Sequence, residues 1–460
     1  MDAVRRDLLP TLRLAWPVIV AELGWMFMGV VDTLMVGRVS PEAIGAVGLG
    51  TILYFTAAVF GMGLLLGLDT FVSQSYGAGN LRECHRWLRD GVHLAVLATL
   101  PLMAITFGMV AAMPVLGLHP EVLALTRPFV MVEAWGSLPL LLYAAFRRYL
   151  QALGVVRPVM ITLIAANLVN AGANWVLIYG NLGMPAMGVI GSAWATNLAR
   201  LFMAVSLLLL ILRHERTHKV GLFDVPFLPV EWNRVARLLR LGAPAATQLT
   251  AEVGVFGAVA ALAGRIDPLA LAAHQVALNM ASITFMVPLG LASAGAVRVG
   301  HAIGRRSVEG AASAGGAVIA LALGFMSVAG LIFIAGAGPL MRLFTTDPAV
   351  VSTGVTLMQV AAAFQLFDGL QVATTGALRG LGDTRTPMFA NLVGHWLIAL
   401  PIAAVTGFTL GYGVVGLWVG LCVGLILVGL FLLRAWRRHI SDLRRNPGAM
   451  ARLAPGGVHL

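Results

Sequence analysis

The sequence predicts an all-α integral membrane protein, with about 12 transmembrane helices in two pseudo-symmetric six-helix bundles. Three observations predict it: apolar runs of bilayer length along the whole chain, cations gathered in alternate loops, and short motifs that return at one offset. Hydrophobic residues make up 59% of the chain and charged ones 11%, where a soluble chain carries about 25% charged residues. Backbone groups in hydrocarbon must be satisfied within their own segment, so these runs are helices, and no run shows the alternation of barrel strands. The 53 glycines suit helices packed backbone to backbone in lipid.

Taken in order, the spans fall near 12–36, 45–72, 91–116, 123–147, 158–180, 187–212, 240–263, 269–297, 311–336, 350–378, 388–409 and 413–435. No signal-peptide cleavage pattern follows the first run, which is therefore the first span. The odd-to-even loops hold only Arg38, Arg127, Arg265 and Arg342. The others hold clusters such as Arg82, Arg86 and Arg89, Arg147 and Arg148, and Arg434 to Arg445. Positive loops face the cytoplasm, so both termini are expected there, which an even span count requires. The polar, basic segment from Arg213 to Arg240, broken by Pro226 and Pro229, divides the chain nearly in half. The expected organisation is a first lobe at 1–212, a cytoplasmic linker at 213–239, a second lobe at 240–436 and a tail at 437–460.

The halves repeat. Leu14-Ala-Trp-Pro17 returns as Leu241-Gly-Ala-Pro244, about 227 residues on. Gln151-Ala-Leu-Gly154 returns as Arg379-Gly-Leu-Gly382 after about 228, and Gly188-Val-Ile-Gly191 as Gly413-Val-Val-Gly416 after about 225. Each match is weak alone, but three in one register define a repeat. Six spans per half give both halves the same orientation, related by a pseudo-two-fold along the membrane normal.

Several function classes fall away. The net charge of +11 sits in alternate loops, which is topology and not a nucleic-acid surface. Cys84 and Cys422 form neither a disulfide framework nor a transition-metal site. The one lysine, Lys219, lies between His218 and Val220, so no ATP-binding Gly-Lys-Ser/Thr exists. The ten histidines make no His-Glu-x-x-His, and no nucleophile–base motif marks an enzyme.

The acids inside the spans are the informative residues. A carboxylate near mid-bilayer costs roughly 2.5–3.5 kcal/mol even on gentle insertion scales. Asp368 lies in the long tenth span, with Gln365, Gln371 and Thr375 on its side of the helix. Pairing with a neighbouring helix is the plainer reading of such a residue. Glu252 follows Gln248 by one turn on one face of the seventh span. Asp32 lies in the first span. Asn170 and Asn174, one turn apart in the fifth, can glue helices together or hold a carboxylate such as Asp32. Asp69, near a span end, suits a structural pair. For Glu22 and Glu133, cavity lining and structural pairing both fit. Arg200 is the single arginine expected inside a span.

Val31-Asp-Thr-Leu-Met-Val-Gly37, Asn170-Ala-Gly-Ala-Asn174-Trp, Gly191-Ser-Ala-Trp-Ala-Thr196, Glu252 with Phe256, and Asp368-Gly-Leu-Gln371 before Gly376-Ala-Leu-Arg-Gly380 carry a resemblance. The chain resembles the multidrug and toxic compound extrusion (MATE) transporters, in their bacterial NorM-like branch, over nearly its whole length. That resemblance implies twelve spans, two bundles and a cavity between them. It implies a cation-coupling site at Glu252 and Asp368, and a cation, proton or substrate site at Asp32 with Asn170, Asn174 and Thr196. Gln248, Gln365, Gln371, Glu22 and Glu133 are secondary candidates. Two features depart from the pattern: Phe364 stands one turn before Asp368 where a tyrosine is common, and Glu22 and Glu133 are additional acids.

The expected activity is secondary antiport: cationic or amphiphilic drugs or metabolites leave by alternating access in exchange for Na⁺ or H⁺. A carboxylate able to hold a proton, a Na⁺ or a cationic drug couples them by competition. Methionine and phenylalanine would give tolerant walls. No cofactor beyond the coupling ion is expected, and the partners are a small-molecule substrate and the lipid bilayer, with no nucleic acid. A monomer in the bacterial inner membrane is expected. The alternative is a lipid-linked-precursor flippase of a related fold group, which would favour a strongly basic cavity.

Overall fold

The computed structural model describes residues 2–116, 120–218, 221–446, 448 and 450. Its helices, in chain order, are α1 (Asp2–Val36), α2 (Pro41–Leu64), α3 (Gly67–Gly77), α4 (Leu81–Ala112), α5 (Pro120–Trp135), α6 (Ser137–Ala152), α7 (Arg157–Tyr179) and α8 (Gly188–His218). The second half contributes α9 (Trp232–Ile266), α10 (Pro268–Gly304), α11 (Val308–Arg342), α12 (Pro348–Leu381), α13 (Arg385–Asn391), α14 (Leu400–Ala404) and α15 (Gly413–Arg445). Among the described residues eleven helical stretches are long and apolar enough to cross a membrane, and the bent pair α5–α6 makes a twelfth. Twelve spans is the number the sequence predicts.

Sequence punctuation sets where the helices begin. Ser40-Pro41, Asp267-Pro268 and Asp347-Pro348 open α2, α10 and α12. In each, the side chain accepts from a backbone N–H: Ala43 at 3.1 Å, Ala270 at 2.6 Å and Ala349 at 2.8 Å. Proline follows where its missing N–H costs nothing. These starts, with Pro120 of α5, extend the repeat in two pairs: Pro41 and Pro268 lie about 227 apart, Pro120 and Pro348 about 228.

The helices run longer than the expected spans. The 37 residues of α10 measure about 55 Å at 1.5 Å per residue, against a hydrocarbon core of about 30 Å. Arginines assigned to loops therefore ride on helix extensions, among them Arg82, Arg86, Arg89, Arg147, Arg234 and Arg298. The linker expected at 213–239 shortens for the same reason, because α8 continues to His218 and α9 starts at Trp232. The expected tail at 437–460 begins as helix through Arg445; residues 447, 449 and 451–460, like Lys219, lie outside the described set.

The chain forms two compact units, one of residues 20–246 and one of residues 1–19 with 247–460. The changeovers fall inside α1 and α9, a short step past Pro17 and Pro244, at positions about 227 apart.

In the unit 20–246, α5 and α6 bend by 46° at Gly136. Gly136 is required there, because a Cβ would collide with Asn197 and Arg200 of α8. The carbonyl of Val132, freed by the bend, accepts from Asn197 Nδ2 at 2.6 Å, as a backbone acceptor within a membrane must. At the start of α4, Arg234 of α9 pairs with Glu83 and Asp90 and lies 3.9 Å over the Trp87 ring. Arg89 pairs with Asp90 at 2.8 Å and with Glu231 at 2.5 Å. The hydrogen bond from Arg89 holds the Glu231 carboxyl, outside the spans, below its ordinary range.

In the other unit, small residues set the packing. Gly376 and Gly380 on α12, spaced as a small-x-x-x-small motif, lie against the Ala292 and Ala296 carbonyls of α10; a Cβ at Gly380 would stand 2.6 Å from the latter. Gly416, Gly420 and Gly424 of α15 face Thr406, Ala403 and Ala399. Between α13 and α15 the span is not plain α-helix: residues 392–399 and 405–409 are wound as π-helix on either side of α14.

Candidate functional site

The sequence candidates gather in two places, one in each unit. In the unit 20–246, Asp32 of α1 is half-buried and enclosed by donors from two helices. Asn170 Nδ2 and Asn174 Nδ2 of α7 donate to Asp32 Oδ1 at 3.0 and 2.6 Å, and Thr196 Oγ1 of α8 donates to Oδ2 at 2.9 Å. Asn174 also donates to Asn170 Oδ1 at 3.1 Å, which fixes the pair. The one-turn spacing of the asparagines puts both amides on one face, and both are fully buried. Of the two sequence readings, the structure takes the second: the asparagines hold Asp32.

The extra acids of this unit have a different fate. Glu22 of α1 forms an ion pair with Arg147 of α6. Glu133 of α5 pairs with Arg200 of α8 at 2.6 Å, and the Arg200 guanidinium lies 4.6 Å over the Tyr54 ring. Both acids are thus ion-paired within their unit, and the charge of Arg200 also acts on Asp32. Arg147, read from the sequence as a cation at a span end, is as buried as Arg200. Asp69 pairs with Arg148 at 3.3 Å, as a structural role requires.

In the unit holding 247–460, Glu252 of α9 and Asp368 of α12 are both buried, and the charge of Glu252 acts on Asp368. Gln371 Nε2 donates to Glu252 Oε1 at 3.2 Å and to Asn391 Oδ1 at 3.0 Å, and Gln248 also hydrogen-bonds Glu252. Asp368 receives no hydrogen bond, and neither acid an ion pair, among the described residues. Gln365 separates from this group, because its amide donates to Thr284 of α10. Phe364 fills the place one turn before Asp368 with a ring against Phe256 and Trp418, at centroid distances of 6.3 and 5.7 Å.

A family model described as MatE matches residues 17–176 and again 244–405. The chain belongs to the MatE family. The two matched stretches start about 227 residues apart, the offset of the repeat. Among curated MatE-like relatives, the "Probable multidrug resistance protein NorM" of Mesorhizobium japonicum is 36% identical over 441 residues, 94% of each chain. The "Multidrug resistance protein NorM" of Aliivibrio fischeri is 30% identical over 456 residues, 97% of each. A crystal structure of a eukaryotic MATE transporter superposes with a TM-score of 0.87 at 19% identity, over 97% of this chain and 100% of that one. A MATE structure described as in the bent conformation gives 0.83, also at 19% identity, over 97% and 98%.

Sequence reasoning did not single out three side chains of this MatE-family fold. Arg147 was hidden at a span end by its neighbour Arg148. Asn391 and His395 were hidden in the apolar run Asn391-Leu-Val-Gly-His395, although they share the one-turn spacing that exposed Asn170 and Asn174.

Proposed function

We propose that the protein is a secondary active antiporter that exports cationic or amphiphilic drugs or metabolites in exchange for Na⁺ or H⁺ by alternating access. One observation carries the reading: Glu252 and Asp368 are two buried carboxylates with no cation beside them among the described residues. Such a pair asks for a positive charge, and a transporter supplies one by taking up an ion or a proton. Ion entry discharges the acids and release restores them, so substrate and ion compete for one charge state. Asp32, half-buried and held by three donors, is preset as a carboxylate for a cationic substrate or a proton. The names of the multidrug resistance relatives support export of drugs.

Catalysis plays no part in this reading. The chain would act as a monomer in the bacterial inner membrane, with both termini in the cytoplasm, where the arginine-rich loops place them. The flippase alternative asks for a basic cavity. The buried Arg147 and Arg200 do not provide one, because Glu22 and Glu133 neutralise them.

Dye efflux from vesicles tests the proposal under an imposed proton or Na⁺ gradient. Efflux driven by one gradient, and lost in Asp368→Asn and Glu252→Gln, is the expected result. Efflux unchanged in both variants removes the second-unit site, and no efflux under either gradient favours the flippase.

A further inference from the structure

Buried polar atoms nearly always have a protein or water partner, so those without a protein partner are places that a water, an ion or a proton can occupy. On α12 these include Gln365 Oε1, Gln371 Oε1, Thr374 Oγ1 and Thr375 Oγ1; on the π-wound stretch after α13, His395 has no side-chain partner at either ring nitrogen. His395 is 1% exposed. Its neighbours fix where it sits. Gly394 abuts α15, where a Cβ would strike Val428, and Trp396 Nε1 reaches the Ala251 carbonyl of α9 at 3.0 Å. The imidazole lies between those directions, inside the unit. π-Helical turns inside α-helices are frequent at functional places.

The hydrogen bonds continue toward it. Gln371 joins Glu252 to Asn391, and one turn further along a His395 ring nitrogen reaches the Asn391 backbone, which leaves the other nitrogen free to exchange a proton. The two segments are joined by the short turn 382–384 and meet at the Gln371–Asn391 hydrogen bond. From the Gln371–Asn391 contact, a turn back along α12 is Asp368 and a turn forward is His395. Both are displaced by about 5 Å to the same side, so the imidazole sits at the depth of the carboxylate pair. The ionisable groups on this path are Glu252 of α9, through Gln371, and Asp368, one turn from Gln371 on α12; α15 packs Gly424 and Val428 against Gly394.

We propose that His395 is the third ionisable member of the second unit's ion site and relays the coupling proton to and from Glu252 and Asp368. A hard cation such as Na⁺ seeks several oxygens, and Phe364 supplies none where a hydroxyl would be useful. An imidazole nitrogen instead takes a proton. The step balances: one ring nitrogen accepts a proton as the other gives one up, and ring rotation restores the starting tautomer with no change of charge. This inference rests on the antiporter reading and names the proton as its ion.

The test is substrate-triggered proton release from the purified protein in weak buffer, followed by stopped flow, beside efflux from proteoliposomes. His395→Asn keeps a hydrogen-bonding side chain but cannot relay. It should slow release about tenfold or more, with the total protons released and the substrate Kd unchanged. Asn391→Ala, which breaks the chain one link away, should slow the same phase and serves if His395→Asn does not fold. Release at the wild-type rate in both variants overturns the proposal. So does wild-type efflux that follows a Na⁺ gradient and ignores a pH gradient. No wild-type efflux under either gradient strikes the antiporter reading instead.

Discussion

Glu22 and Glu133 in the unit 20–246 each pair with an arginine, whereas in the other unit Glu252 accepts from the Gln371 amide and Asp368 from no donor among the described residues. The repeat register sharpens the contrast. At an offset of about 228, Arg147 corresponds to Thr375, Gly136 to Phe364 and Leu140 to Asp368. One copy of the helix is bent at a glycine and carries Glu133 and Arg147; the other is continuous and carries Asp368. The two copies share a register and differ in bend and in charge. The lesson is electrostatic. In the first unit the protein neutralises its own buried acids and holds Asp32 with three donors. In the second it leaves two acids for which a cation must come from outside.

Breaking a pair in the first unit should have the largest effect. Arg147→Met leaves Glu22 without its partner and should cost about 3–5 kcal/mol, read as a fall in thermal stability in detergent. Adding Glu22→Gln should recover most of it, because the pair is structural. Full recovery of stability with lost transport would instead give the pair a functional part. Asn174→Ala comes next. It removes one of the bonds to Asp32, and hydrogen bonds to a charged group are worth roughly 1.5–3 kcal/mol. The expected outcome is weaker substrate binding by calorimetry with ion-driven efflux still coupled.

Gly380→Ala probes packing without touching charge. The new methyl would press on the Ala296 carbonyl, at a cost of about 1–3 kcal/mol in unfolding measurements, with the acid pair left in place. Glu231→Gln is the mildest, an exposed partner of Arg89 worth at most about 1 kcal/mol. Since Arg89 lowers the Glu231 carboxyl below its ordinary range, this contribution is present above that range and fades as pH falls through the lowered value. The wild type should therefore lose its small advantage over the variant on acidification.

Much of this was legible because membrane physics writes it into the sequence. Span length, alternate positive loops and the Pro17–Pro244 register specified the helices, and the price of burying Asp32, Glu252 and Asp368 exposed them as candidates. Helix ends were less legible. Arg89 and Arg234 look like loop residues, yet they sit on helices that rise beyond the hydrocarbon. The partners of Glu22 and Glu133 were hidden for another reason: Arg147 and Arg200 come from distant positions, 125 residues away in the first case. His395 was masked by its apolar surroundings, and the π-winding that turns it inward has no sequence signal.

Cation uptake by purified protein tests the central claim most directly, as protons released on substrate addition and as ²²Na⁺ bound at equilibrium. The account predicts that Glu252→Gln with Asp368→Asn abolishes uptake, while Asp32→Asn retains it and loses substrate affinity. Uptake that survives the double substitution and disappears with Asp32→Asn would contradict it.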